Sequence, residues 1–362
     1  MGNKESLPDR LKIGLQSAWY KRGLLSFLIS TLLWPLSQVY RFLALTHHQL
    51  YQFGVFKSHK VSVPVVVVGN IVAGGGGKTP TVIALAQHLQ AQDIQVGVIS
   101  RGYGRTSTEC LEVKNDSKIS DVGDEPAGIL IALNSFEVSA PVFVAKSRFE
   151  AATKLLKTYP ATQVIICDDG LQHHALQHDI AVTVFDDRGL GNGLLLPAGP
   201  LRELTVKSTN SLVLHTGNQA VKLTHTATPQ FTAQRALEDY ALKSDGSKVP
   251  LSDLQQHSKL LALAGIANPE AFFAMLRAAG LNLTKTIALA DHYNFDSTIG
   301  NEYDGYTVIC TLKDAVKLWQ VHPEALAVPL EFTPEPAFFA AFDALLKPLI
   351  YPKSPSSPYS PR

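Results

Sequence analysis

Between residues 60 and 215 the chain repeats one pattern, a short continuous apolar run followed by a stretch with helical spacing. Val65–Val68, Val96–Ser100, Val142–Ala145, Val164–Cys167, Ile180–Phe185 and Ser211–His215 each read as a strand. They lack the alternation of a half-exposed strand, so both of their faces are expected to be covered. Between them, Thr79–Gln90, Glu125–Leu133 and Arg148–Thr158 carry helical patterns. Apolar strands alternating with helices predict a mostly parallel sheet with helices on both faces. Such sheets bind ligands where their strands end. Ser100-Arg101-Gly102-Tyr103-Gly104-Arg105, Lys146, Asp168-Asp169-Gly170 and Asp186-Asp187-Arg188 all begin at those ends and are expected to converge on one rim.

The pattern changes after His215. Thr216–Pro250 is rich in Thr, Gln and Lys with weak β alternation, as in a ribbon or linker. A second α/β pattern follows, with strands at Leu260–Ala264, Thr286–Ala290, Thr307–Thr311 and Ala327–Phe332. Its helices fall at Pro269–Ala279 and about Pro336–Leu349. The tail Tyr351–Arg362, rich in Pro and Ser, is expected to be disordered. These shifts divide the chain into a helical N-terminal segment (1–50), an α/β core (51–215) and a linker or β ribbon (216–250). A smaller α/β lobe (251–350) and the tail (351–362) follow.

The first segment is unusual for an enzyme. Gly23 to Tyr40 is an uncharged run of 18 residues, at the short edge of what crosses a bilayer. Lys21, Arg22 and Arg41 flank it, and Trp19, Tyr20, Trp34 and Tyr40 are placed as interfacial anchors. Pro35 is expected to kink it, and no small-residue cleavage site follows. Three readings stand: a monotopic membrane helix, a single span, and a helical hairpin packed on the protein's own core. Elsewhere charge is balanced, with 32 Lys+Arg against 31 Asp+Glu and a net charge of +1. No nucleic-acid-binding surface is indicated by that composition. Cys110, Cys167 and Cys310 are too far apart for a metal-ligand pair and read as buried thiols.

The chemistry is concentrated at the first strand. Val65-Val66-Val67-Val68-Gly69 runs into Gly74, Gly75, Gly76, Gly77, Lys78, Thr79 and Pro80, and then into a helix carrying Val82, Ile83, Leu85, Ala86 and Leu89. Backbone N–H groups without side-chain cover form an anion nest, and a helix N-terminus adds unpaired donors. Lys78 is placed for the β- and γ-phosphates of a nucleotide and Thr79 for Mg²⁺. The usual form of this loop opens with a glycine where this chain has Val72, so the loop is a variant. The strand Val164–Cys167 delivers Asp168 and Asp169, candidate metal-orienting and catalytic carboxylates.

Transfer of a phosphoryl group to an alcohol also needs a proton acceptor. Asp124, His292, His173 and His174 are candidates, and Asp124 reads equally as a helix cap. In the glycine-punctuated stretch Asp186–Glu203, Arg188, Asn192, Arg202 and Glu203 are candidate substrate contacts, together with Arg101 and Arg148. A long loop of this kind is more often functional than accidental.

In order along the chain, these motifs resemble the tetraacyldisaccharide 4'-kinases of lipid A synthesis. They are Gly69-Asn70, Gly74 to Pro80, Ser100-Arg101-Gly102-Tyr103, Gly123-Asp124-Glu125-Pro126, Asp168-Asp169-Gly170-Leu171-Gln172-His173 and Gly191-Asn192-Gly193 to Glu203. Ala264-Gly265-Ile266, Asp291-His292 and Lys313-Asp314-Ala315-Val316-Lys317 continue the series, and Val72 matches the family's own variant loop. The resemblance covers about residues 13–347. It implies a P-loop NTPase-like three-layer α/β/α lobe, a smaller α/β lobe joined by a β ribbon, and an N-terminal helix at the inner membrane. It also implies transfer of the γ-phosphate of ATP, with Mg²⁺, to the 4'-hydroxyl of a tetraacylated glucosamine disaccharide 1-phosphate, giving lipid IVA. Asp124 and His292 are the implied dyad that activates the hydroxyl. The implied partners are the acylated lipid substrate and the membrane, without nucleic acid or an obligate protein partner, and the catalytic lobes are cytoplasmic. The chain departs from the family at Ala271, where an Arg is usual, and at Leu312, where a Glu is usual. A non-kinase P-loop NTPase and a protein that binds ATP structurally are the rival classes.

Overall fold

The computed structural model describes residues 15, 17–21, 23–74, 76–204, 209–217, 227–266, 268–290, 293, 295 and 303–351. The first part of the chain contains α1 (Leu24–Gln52), β1 (Val65–Gly69), α2 (Lys78–Gln90), β2 (Val96–Ser100), β3 (Leu111–Val113), α3 (Ile119–Val122) and α4 (Asp124–Ser135). It continues with β4 (Val142–Val144), α5 (Arg148–Thr158), β5 (Val164–Asp168), β6 (Ile180–Phe185), β7 (Ser211–His215) and β8 (Gln230–Leu237). The second part contains β9 (Tyr240–Leu242), β10 (Lys248–Pro250), α6 (Leu251–Leu254), β11 (Leu260–Ala264), α7 (Pro269–Ala278), β12 (Leu283–Ala288) and β13 (Thr307–Thr311). It closes with α8 (Leu312–Leu318), β14 (Leu326–Val328), β15 (Leu330–Pro334) and α9 (Pro336–Ile350).

Among the described residues, the larger sheet has nine strands in the order β15-β8-β7-β6-β1-β5-β2-β4-β3. It is parallel from β8 through β4, with antiparallel pairs only at its two edges. The unbroken valines of β1 follow from burial on both faces. Val66 and Val68 join the cluster containing Val82, Leu85 and Ile129, whereas Val65 and Val67 join the one containing Ala151 and Leu155. The second sheet, β10-β9-β14-β13-β11-β12, repeats the arrangement on a smaller scale. Leu260, Ala262 and Ala264 pack to one side of it, and Leu261 and Leu263 to the other.

The junction between the lobes differs from the expected segmentation. Ala327–Phe332 reads as one strand but forms two, β14 in the small sheet and β15 in the large one, divided at Pro329. Proline has no N–H to offer a ladder, and the Pro329 carbonyl instead accepts the backbone N–H of Glu238 at 3.1 Å. Part of the expected ribbon, Gln230–Leu237, is a strand of the large sheet, paired with β7 and β15. The chain therefore crosses to the second sheet after β8 and returns after β14. Strand β15 and helix α9 lie on the large sheet, although 251–350 reads in sequence as one unit.

Helix α1 continues across Pro35 without interruption. Its buried residues are Ser30 and Ser37, two turns apart, while Leu24, Leu25, Phe27, Leu28, Leu32, Trp34, Leu36, Val39, Phe42, Leu43 and Leu45 are exposed. Only 11% of its most apolar window is buried inside the protein, which does not fit a hairpin packed on the protein's own core. The three cysteines are free and buried, as expected.

Candidate active site

The glycine loop joins the end of β1 to the start of α2. Gly77, immediately before the helix, has φ 91° and ψ 20°. Glycine is required there for that conformation and for space, since a Cβ would lie 2.6 Å from Arg235 Nη2 and 2.8 Å from Thr216 Oγ1. No side chain caps α2 and its first turn holds no acidic residue. The free N–H groups of that turn are thus left for an anion, and Pro80 within the turn has no N–H to satisfy. Thr216 Oγ1 donates to the Gly76 carbonyl at 2.8 Å and itself accepts from the Arg235 guanidinium. Gly75 lies outside the described residues.

Sheet register brings the acidic pair to this loop. Val68 pairs with Asp168 across β1 and β5, and Ile99 with Cys167 across β2 and β5. Ser100 Oγ therefore reaches Asp168 Oδ2, at 3.2 Å. Asp168 is 2% exposed, and its Oδ1 has no hydrogen-bond partner among the described residues. Burial, and then the charge of Glu125, push its carboxyl up to about 7, with Lys78 working against them. Asp169 turns the other way, with φ 46°, and lies 3.7 Å from Lys78 Nζ and 3.3 Å from Arg202 Nη1. Arg202 also donates to Gln172 Oε1 at 3.2 Å. Gln172 Nε2 in turn donates to Glu203 Oε1 at 2.9 Å and to the Asn70 carbonyl at 3.2 Å. Lys78, Asp169, Arg202, Gln172 and Glu203 thus form one polar chain.

On the other side of Lys78 a cleft of about 1230 Å³ opens between the two lobes. Gly76 to Pro80, Asp124, Glu125, Arg188 and Arg235 line it from the large sheet, and Ile266, Asn268, Ala271 and Thr311 to Lys313 from the small one. Asp124 is the first residue of α4, preceded by Gly123 with φ 93°. The cap position is thus Gly123 and not Asp124, and no side chain caps α4. The Asp124 Oδ1 accepts the adjacent Glu125 N–H at 3.0 Å, and its Oδ2 lies 2.7 Å from Lys317 Nζ. Asp291 and His292 lie outside the described residues. The rival His173 is not among the residues lining this cleft, and burial, then Arg148 and Arg101, push its imidazole down to about 4, leaving a neutral ring. His174 stands elsewhere, with its ring 4.9 Å from His48 and 5.7 Å from Tyr51 at the end of α1.

Several candidate substrate contacts are committed to other work. Arg148 is buried and donates to the backbone carbonyls of Asp169 at 3.1 Å and Asp168 at 3.5 Å, so it holds the acidic turn in place. Arg188 is clamped by Asp186, with Nη2 to Oδ2 at 2.7 Å, and lies against Gly74 and over the Tyr20 ring. Asn192 donates to Ser30 Oγ at 3.0 Å and to the Ala198 carbonyl at 2.9 Å, tying its loop to α1. Arg101 is exposed at the end of β2. Arg202 and Glu203 belong to the polar chain described above, and the Arg202 carbonyl accepts the Tyr40 hydroxyl of α1 at 3.1 Å.

The loop 186–203 therefore joins the N-terminal helix to the glycine loop. Ser37 Oγ donates to the Leu195 carbonyl at 2.9 Å and accepts the Ala198 N–H at 3.0 Å, and Trp19 Nε1 reaches the Pro197 carbonyl at 3.0 Å. At the other end, Ala73 N–H donates to the Pro200 carbonyl and Arg202 N–H to that of Ile71, both at 2.7 Å. Arg235 and Thr216 are site residues that sequence reasoning missed. An arginine in a mixed polar strand carries no signal, and only the pairing of β7 with β8 brings it beside Gly77. Gln172 was visible only as part of the Asp168 to His173 motif.

The comparisons with known proteins agree with this geometry. The family model described as "Tetraacyldisaccharide-1-P 4'-kinase" matches residues 29–347. A tetraacyldisaccharide 4'-kinase from Polaromonas naphthalenivorans (strain CJ2) is 52% identical over 94% of this chain and 96% of its own length. Another from Verminephrobacter eiseniae (strain EF01-2) is 50% identical over 96% of this chain and 79% of its own. The crystal structure of the "apo" form of LpxK from Aquifex aeolicus in complex with ATP superposes with a TM-score of 0.73. It is 27% identical and covers 89% of this chain and 99% of that one. With the glycine loop, the paired aspartates and the interlobe cleft in place, this chain belongs to the tetraacyldisaccharide 4'-kinase family.

Proposed function

We propose that the interlobe cleft carries out the reaction of this family with Lys78, Asp168, Asp169 and Asp124 as its central side chains. The chain is an ATP-dependent kinase that phosphorylates a tetraacylated glucosamine disaccharide 1-phosphate at its 4'-hydroxyl, forming lipid IVA. One observation carries the assignment of residues. Lys78 opens helix α2, lines the cleft and also meets the carboxylate of Asp169, so one cation borders both the nucleotide side and the acidic pair.

The nucleotide phosphates fit the nest formed by Gly74, Gly76 and Gly77 with the open first turn of α2. Lys78 balances charge on the transferring group, where a positioned cation acts most strongly. The residues also fit a magnesium ion. Asp168 Oδ1 is a buried acceptor without a partner among the described residues, and the charge of a cation would favour its ionised form. Among the described residues no three His, Cys, Asp or Glu side chains are grouped to hold a metal. Magnesium bound through phosphates and water needs only one or two carboxylates. Thr79 and Asp168 would hold it with Asp169 beside them, and when bound it supplies charge neutralisation between the phosphates. Asp124 accepts the proton of the sugar hydroxyl, with His292 as its partner in the dyad.

Arg202, Gln172 and Glu203 lie between Lys78 and Tyr40 in the middle of α1, the side from which a membrane lipid would come. Helix α1, with its large apolar side chains outward, seats the enzyme on the inner membrane as a monotopic protein with both lobes cytoplasmic. The test is Lys78→Ala, which is expected to lower γ-phosphate transfer to the disaccharide lipid by at least about 100-fold. A folded variant with near-normal transfer would remove the assignment.

A further inference from the structure

The motif Lys313-Asp314-Ala315-Val316-Lys317 belongs to the second lobe and has no part in the reading above, yet it reaches the proposed proton acceptor. Lys317 Nζ lies 2.7 Å from Asp124 Oδ2, with the two side chains 18% and 10% exposed. We propose that Lys317 is a positioning residue for the reaction, an ammonium supplied by the second lobe that holds the Asp124 carboxylate oriented toward the acceptor hydroxyl. The inference rests on the reading of Asp124 as proton acceptor.

Three features place this ammonium firmly. Thr311 caps α8 by accepting the Asp314 N–H at 3.2 Å and donates its own hydroxyl to Asp314 Oδ2 at 2.6 Å. The same oxygen accepts the Gly265 N–H at 3.0 Å, so the buried Asp314 fastens the start of α8 to the end of β11. Lys317 follows three residues later, on the last turn of α8. Helices α8 and α4 pack together, and a Cβ on Gly128 would stand 3.6 Å from Val316 Cγ2, an ordinary contact distance. Leu312, where the family usually has Glu, packs into the clusters of both lobes. Its apolar contact adds to the same interlobe seam.

The electrostatics favour the same arrangement. Asp124 occupies the first turn of α4 and Lys317 the last turn of α8, so each charge faces the helix end that stabilises it. A nearby cation favours the ionised carboxylate. With Oδ1 bonded to the Glu125 N–H and Oδ2 to the ammonium, the plane of the carboxylate is set. A proton acceptor that must be charged is thus completed by the lobe across the cleft from the glycine loop.

The experiment is a double-mutant cycle on the full-length enzyme, with Lys317→Met, Lys317→Arg, Asp124→Asn and Asp124→Asn/Lys317→Met. Lys317→Met is expected to lower kcat about 10- to 100-fold, a smaller loss than the 10²–10⁴-fold typical of removing the base itself. KM for ATP should stay within about threefold, because uniform binding is not what is lost. Lys317→Arg is expected to recover most of kcat, and in the Asp124→Asn background Lys317→Met should cost less than about threefold. Lys317→Gln serves as the uncharged variant if Lys317→Met does not fold. Near-normal turnover without the Lys317 charge while Asp124→Asn is inactive would overturn the proposal, as would losses that multiply in the double mutant. A nearly active Asp124→Asn enzyme would instead remove Asp124 as the acceptor and this inference with it.

Discussion

Helices α1 and α9 lie toward opposite ends of the chain and are both strongly apolar, yet they meet water in opposite ways. Helix α9 buries Phe338, Phe342 and Leu346, a single stripe four residues apart, against the large sheet. Helix α1 turns Ser30 and Ser37 inward and its leucines and phenylalanines outward. Apolar content states that a surface must leave water, but not what will cover it. In α9 the cover is the protein's own sheet. In α1 the inward serines serve the loop 192–198, and the outward face is suited to lipid. The difference bears on the site, because that loop continues into Arg202 and is hydrogen-bonded to Ile71 and Ala73, just before the glycine loop. The outward apolar face of α1 and the glycine loop are thus held by one set of hydrogen bonds.

The sharpest way to break this comparison is to treat both helices alike. Phe342→Ala in α9 is expected to cost about 3–5 kcal/mol of stability, since its buried ring leaves a cavity against the sheet, measured by denaturant unfolding. A loss below about 1 kcal/mol would show that α9 is held as loosely as α1. The second test replaces Leu28, Leu32 and Phe42 together with serine. Vesicle binding should fall at least about 100-fold, from the lost burial of three large side chains, while unfolding of the lobes stays nearly unchanged. Unaltered co-sedimentation with lipid vesicles would deny that this face meets a membrane. The smallest effect concerns the inward face. Ser37→Ala removes a donor to Leu195 and an acceptor for Ala198, for an expected loss of about 1–3 kcal/mol. Its signature should be faster hydrogen exchange in residues 192–201, and unchanged exchange there would show that the loop stands without the helix. Deleting everything before Tyr51 is a blunter experiment, because Tyr20 and Tyr40 pack against the cluster of Ile71, Val72, Leu195 and Leu201.

Much of the large lobe's framework was readable before any coordinates. The expected strand Ile180–Phe185 and helix Arg148–Thr158 match the structure at both ends, and the expected helix at Thr79 starts one residue earlier, at Lys78. Asp168 is expected just after the run Val164–Cys167, and it closes the buried strand β5. The polar side chains around the rim carry a weaker signal. Arg148, which opens α5, and Asn192, in the loop 186–203, are expected as substrate contacts, and the structure gives their donors to carbonyls and to Ser30. Polar side chains near a site serve the protein's own backbone as readily as a ligand, and residue type does not distinguish the two uses.

The sequence by itself determined whatever depends on neighbouring residues. Four valines need two covered faces, a run of glycines leaves N–H groups bare, and a lysine after them begins a helix. Those properties follow from backbone sterics and local hydrogen bonding over a few positions. Only the tertiary structure decided what depends on distant segments meeting. Pro329 divides one apolar run between two sheets because strands on each side offer it different partners. Arg235 reaches Gly77 through the β7–β8 pairing, and Lys317 reaches Asp124 through the seam between α8 and α4. A charge's partner is set by a through-space distance of a few ångströms, and spacing along the chain does not encode that distance until the fold closes it.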